Sequence, residues 1–127
     1  MSLFIKKQIK LYKGLKSCYC SALQKDVYFN SDGLNHILYY RRRPRKYSER
    51  HYRACLIKYL REVIENAKVT VQEIKSENPP VTTWSMEHKI ADKNNFNGVV
   101  KVILLKKGNG NIYFLSVMGS KTKKPKP

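Results

Sequence analysis

The sequence predicts an α+β fold: N-terminal helices packed on a four-stranded antiparallel β-sheet, a meander, with a small N-terminal hairpin. Three observations predict it. Apolar residues recur at the helical period within the first 67 residues. After residue 68 the chain alternates apolar and polar residues in four runs separated by turn signals. At 127 residues it suits a single domain, and area scaling buries about two-thirds of the unfolded surface of such a chain. Consecutive strands joined by short turns pair antiparallel. Helices that precede the strands instead of alternating with them give an α+β layer.

Residues 3–16 place Phe4, Ile5, Leu11, Tyr12 and Leu15 at helical spacing, with Lys6, Lys7, Lys10 and Lys13 on the other face. Such a basic amphipathic helix docks on a core, lies on a membrane surface or contacts RNA or a partner. Segments 17–20 and 26–29 are β-prone and flank a short turn, a hairpin. Asn30, Ser31 and Asp32 then offer caps to a short helix over 34–40. Leu34, Ile37 and Leu38 line one side of it, and His36 and Tyr40 share another, four residues apart.

The densest positive charge follows at 41–53: Arg41, Arg42, Arg43, Arg45, Lys46, Arg50 and Arg53, with Glu49 the one acid. Pro44 blocks a continuous helix, so a loop is expected to hold the arginines as an adaptable claw. Tyr47, His51 and Tyr52 lie among them, which sets stacking surfaces beside phosphate-binding forks. Ser48 is the expected cap of a helix over 49–67 carrying Leu56, Leu60, Val63, Ile64 and Ala67 on its core face. Lys58 with Glu62 and Arg61 with Glu65 are its solvent-side pairs.

The strands are expected at 69–74, 81–90, 99–105 and 112–118. Trp84, Met86, His88 and Ile90 share one face of the second; Trp84 serves there as core or as a base platform. The turns fall at 78–80, 94–98 and 108–110. Residues 1–120 read as one nucleic-acid-binding domain and 121–127 as a disordered basic tail.

The formal charge is 26 − 9 = +17. Charge of this size implies a polyanionic partner: nucleic acid, an acidic protein or an anionic membrane. No apolar run reaches the roughly 20 residues of a spanning helix. The start lacks the apolar stretch of a signal peptide, so no membrane span and a cytoplasmic chain are expected. Cys18, Cys20 and Cys55 are an odd set, read as reduced thiols. Cys18 and Cys20 either pack on one face of a strand or start a metal site with Cys55 or His36, although the spacing departs from the usual zinc knuckle.

The order of elements, with the run Val27-Tyr28-Phe29, Gly33, His36-Ile37 and the apolar Phe114-Leu115-Ser116-Val117, resembles the RelE-like and barnase/EndoU/colicin-like ribonuclease superfamily over residues 26–118. The resemblance implies a small endoribonuclease, toxin-like, held by an acidic antitoxin or immunity protein and acting on RNA, free or ribosome-associated. Cleavage by the ribose 2′-OH needs a group to take its proton, cations for the phosphorane and a proton for the leaving 5′ oxygen. It needs no metal or other cofactor, which suits the scattered acids. His36 is the first candidate for acid or base, weighed against a locally hydrogen-bonded helix histidine. His88, beside Lys89, comes next; Ser116 is a third site candidate, to hydrogen-bond a phosphate or a base edge, weighed against a serine satisfied within its strand. His51 sits among the arginines as a phosphate contact or a merely exposed ring. The nucleic-acid contacts expected are Arg41, Arg42, Arg43, Arg45, Lys46, Tyr47, Arg50, Arg53 and Lys89; Tyr47 and Tyr113 are rings to stack on bases or to act as acids. The other reading is a non-catalytic RNA- or DNA-binding module built on 41–53. Residues 107–111 read as a hairpin turn and not as a phosphate-binding loop.

Overall fold

The structure, a computed structural model, describes residues 2–92 and 96–121. The chain runs α1 (Leu3–Leu15), β1 (Ser17–Cys20), β2 (Lys25–Tyr28), α2 (Ser31–Leu38), β3 (Tyr39–Tyr40), β4 (Arg43–Pro44) and α3 (Tyr47–Cys55). A 3-10 turn, η1 (Ile57–Tyr59), leads into α4 (Leu60–Asn66), then β5 (Lys68–Lys75), β6 (Val81–Ala91), β7 (Asn97–Lys107) and β8 (Ile112–Lys121). The class is α+β. The expected tail beyond Lys121 and the expected turn residues Asn94 and Asn95 lie outside the described residues.

The sheet corrects the expectation of four antiparallel strands. It has six, in the order β1-β2-β8-β7-β6-β5, and it is mixed. The strands β5 to β8 follow one another antiparallel. The hairpin β1–β2 is no separate unit: β2 joins β8 in parallel, Val27 opposite Ile112 and Tyr28 opposite Tyr113. The reason is physical. A lone two-stranded hairpin is marginal in water, and β8 without it would be an open edge. Joining them cures both, and the pairing is too distant in sequence for turn length to reveal.

One sheet face makes the core. Trp84, Met86, Ile90, Val100, Val102, Leu104, Phe114 and Val117 are all buried, and with them Cys18, Cys20 and Val27 from the added hairpin. Cys18 and Cys20 thus pack side by side on one face, and burial pushes the Cys18 thiol up to about 11. A bulge between Ile103 and Leu104 keeps Phe114 and Val117 both on the core side.

The expected helix 49–67 is broken into α3, η1 and α4. At Leu56 the chain tightens, its N–H bonding to the Arg53 carbonyl at 3.1 Å. The break lets Leu56, Ile57, Tyr59 and Leu60 all enter the core. Ser48 is not the cap: α3 begins at Tyr47 after an extended Lys46 that makes no side-chain cap bond. Glu49 in the first turn suits the positive end of the helix instead.

The start of α2 is fixed from two sides. Asn30 Oδ1 accepts the Gly33 N–H at 3.1 Å, and the Asn30 carbonyl accepts the Tyr12 hydroxyl at 2.7 Å. Burial pushes the Tyr12 phenol well above its ordinary pKa. Gly33 lies against β8 so closely that a Cβ would stand 2.5 Å from Tyr12 Oη and 2.7 Å from the Phe114 carbonyl oxygen. Gly33→Ala is therefore expected to destabilise the fold by about 1–3 kcal/mol, read as a lower urea midpoint with an unchanged slope.

Candidate nucleic-acid interface

The segment 41–53 is not a loop. Arg41 and Arg42 form the two-residue turn of a small ribbon, with Tyr40 opposite Arg43 and Tyr39 opposite Pro44. Both arginines have positive φ, 48° and 68°, the mark of a type I′ hairpin turn, where Asn-Gly is the usual pair. Pro44 is tolerated because a ribbon edge needs no donor there. From Tyr47 onward the segment is α3. Tyr40, expected on the helix with His36, stands in β3 instead.

Two arginines of the claw are structural. Arg45 donates from Nε to the His36 carbonyl at 3.0 Å and from Nη1 to Glu49 Oε1 at 2.8 Å. Arg53 donates from Nε to the same Glu49 oxygen at 3.2 Å and from Nη1 to the Val117 carbonyl at 2.9 Å. Their side chains are only 9% and 15% exposed. Burial, then the Arg45 charge, lowers the Arg53 pKa, and Glu49 opposes both. One carboxylate thus ties the C-terminal end of α2, the ribbon, α3 and β8 together.

Arg41 and Arg45 both lie over the Tyr40 ring, 5.4 Å from its centroid. Arg42, Arg43 and Lys46 are exposed. Arg50 is half-buried over Tyr47, 5.9 Å from the ring, with a buried Nε that has no hydrogen-bond partner.

Three clefts meet around these groups. The first, about 590 Å³, lies between α2 and the β7–β8 hairpin and is lined by Asp32, Asn35, His36, Lys107, Asn111 and Tyr113 among others. The second, about 710 Å³, is lined by Asn35, His36, Tyr39, Tyr40, Arg41, Arg42 and Arg45. The third continues past Tyr40, Arg41 and Arg45 to Arg43, Lys46, Glu49 and Arg53. Asn35 and His36 belong to the first two, and Tyr40, Arg41 and Arg45 to the last two, so one groove runs from the hairpin to the start of α3. His36 is exposed at the junction where a polar cleft becomes an arginine-rich one.

The other expected site residues are elsewhere. His88 projects from the core side of β6 to Glu62 on α4, Nε2 to Oε2 3.2 Å. Ser116 lies half-buried opposite Ile103 in β8, and Lys89 is exposed on β6 opposite Val99. Neither these nor Tyr47 and Arg50 line the three clefts. His51 is held between helices: Phe4 stacks on it at 4.4 Å, and its Nδ1 is 3.7 Å from Cys55 Sγ. Trp84 is core. Sequence reasoning missed Asp32, Asn35, Tyr39, Lys107 and Asn111 as lining residues. Their signal was the pairing of an exposed helix face with a distant hairpin, which no local pattern carries. Among the described residues no three His, Cys, Asp or Glu side chains gather as metal ligands.

Replacing the shared carboxylate, Glu49→Gln, leaves two half-desolvated guanidinium groups facing each other. The expected loss is about 1–3 kcal/mol, moderated by the exposure of Glu49 itself, and chemical denaturation measures it. In comparison with known proteins, the chain matches no family model, no curated protein and no solved structure.

Proposed function

We propose that the chain grips RNA along this groove and cleaves it without a metal, with His36 as the acid–base group. The observation that carries the reading is the position of His36: an exposed imidazole at the junction of a cleft lined by amides and an arginine cleft. The backbone carbonyl of His36 is held by Arg45, so its ring sits on a braced turn of helix. Arg41 and Arg42 supply cationic forks for nonbridging oxygens. Tyr39, Tyr40 and Tyr113 supply faces for bases. Of the acids lining the groove, Asp32 and Glu49, the second is engaged by two arginines, which suits a mechanism that asks for no carboxylate-bound cation. The resemblance to RelE-like and barnase/EndoU/colicin-like ribonucleases, an acidic inhibitory partner and toxin-like behaviour belong to the same proposal.

A second reading, a binding module without catalysis, is favoured by one observation: neither His88 nor Ser116 joins His36 in the groove. Incubation with RNA in EDTA separates the two. The nuclease leaves 2′,3′-cyclic phosphate ends, and His36→Ala abolishes them while binding persists. Absence of cleavage on free and ribosome-bound RNA alike leaves the binding module.

The ribbon turn makes a further test. Left-handed backbone at a non-glycine residue costs about 1–3 kcal/mol. Replacing Arg41 by Asn and Arg42 by Gly suits that turn better and removes two charges. The double variant is expected to melt several degrees higher, yet to bind RNA less tightly, with a shallower salt dependence by roughly 1.5 in the log–log slope. Differential scanning calorimetry and a salt titration measure the pair.

A further inference from the structure

A second groove lies apart from these clefts, among the helices. It is about 620 Å³, runs between α1 and the η1–α4 junction, and shares no lining residue with the clefts around His36. Its floor is aliphatic: Leu11, 42% exposed, with Leu15 and the buried Ile57. Its rim is cationic: Lys7 and Lys10 from α1, Lys58 and Arg61 opposite.

Gly14 in this groove has no reason inside the protein. A Cβ added to it would meet nothing within 4 Å, so packing does not require glycine. Backbone conformation does not require it either. The positive φ that ends α1 falls on Lys16, at 56°, and not on Gly14. Glycine in a helix is disfavoured against alanine by up to about 1 kcal/mol. What a bare Cα permits is close approach from outside.

The charge of the rim is unbalanced. The helix α1 contains no acid at all. Lys7 and Lys10 make no ion pair among the described residues. Lys58 reaches Asp92 at 3.7 Å and lies over the Tyr59 ring, 5.1 Å from its centroid, and Arg61 reaches Glu65 at 3.9 Å. An aliphatic floor between two rows of cations complements a helix with one apolar face and carboxylates along its flanks. A nucleic acid finds no aromatic ring among the lining residues on which to stack. A membrane surface finds only Leu3 and Leu11 as exposed large apolar side chains of α1, because Ile5 and Tyr12 are in the core.

We propose that this groove seats an acidic amphipathic helix of a partner protein, its apolar face on Leu11 and Leu15, its backbone passing over Gly14 and its carboxylates meeting Lys7, Lys10, Lys58 and Arg61. The inference is independent of any nuclease activity at the other groove.

The test is fluorescence anisotropy on the full chain at about 150 mM salt. The probe is a labelled helix of about 16 residues with leucines on one face and glutamates flanking them; a scrambled peptide of the same composition is the control. The patterned helix is expected to bind at least roughly tenfold more tightly than the scrambled one. Gly14→Leu, which fills the groove, and the pair Lys7→Glu and Lys10→Glu are each expected to remove that preference. Arg41→Asn with Arg42→Gly is expected to leave it intact. If Gly14→Leu lowers the melting temperature, the lysine pair, exposed and outside the core, decides alone. Equal binding of the scrambled peptide overturns the proposal, as does a preference that survives the groove variants. Stronger capture of U-rich RNA or of phosphatidylserine vesicles than of the patterned helix, lost in the same variants, overturns the occupant.

Discussion

The arrangement of the arginine segment rests on one carboxylate. Glu49 Oε1 receives Arg45 at 2.8 Å and Arg53 at 3.2 Å, and each arginine spends a further donor on a backbone carbonyl in another element. Without that carboxylate two cations would face each other in a half-desolvated space, where like charges repel far more than in water. With it, the end of α2, the start of α3 and the middle of β8 are held in one geometry. The groove wall is therefore made by charge pairing, although the rest of the fold is made by apolar burial. Positive charge on this chain has two uses: some of it builds the site, and the remainder is presented by it.

That division explains why Arg41 and Arg42 share a cleft with His36. The Arg45 Nε bond to the His36 carbonyl satisfies an acceptor that the end of α2 leaves without an intrahelical donor. The same guanidinium lies over Tyr40, on the ribbon that follows. Helix end, ribbon and imidazole are thus coupled through one side chain. A phosphodiester lying along Arg41 and Arg42 would meet groups already oriented, which is the condition under which electrostatic stabilisation costs least in reorganisation.

The parts of this structure that were legible in the sequence are the local ones. The helical spacing of Ile5, Tyr12 and Leu15, and the alternation of Trp84, Met86 and Ile90, reflect burial on one face, and burial leaves a periodic mark. The parallel contact of Val27 with Ile112 leaves none, because either residue suits any buried strand position. The ribbon was hidden for a different reason. Arg41-Arg42 occupies a turn that normally announces itself with Asn-Gly, and Pro44 in an arginine run reads as a helix stop. The roles of the arginines were hidden as well: composition counts Arg45 and Arg53 as free charge, and only three-dimensional pairing shows them engaged. His36 stood out because a glycine-containing capped segment before it fixed its helix, whereas Asn111 and Lys107 join it only through the fold.

A chain with a net charge of +17 would attract polyanions of many kinds, and the two grooves differ in the side-chain chemistry that would discriminate among them. Around His36 the cations are mainly arginines beside tyrosines. A planar guanidinium matches two phosphate oxygens, and an aromatic face accepts any base. Between α1 and α4 the cations are mainly lysines beside leucines. An ammonium is a point charge that imposes little geometry on a carboxylate, and an aliphatic floor rewards burial of aliphatic side chains. Net charge would attract both proposed classes of ligand to the surface, at ranges set by salt. Under the two proposals, what each groove retains would be decided by the uncharged residues between its cations: Tyr39 and Tyr40 in one, Leu11 and Gly14 in the other.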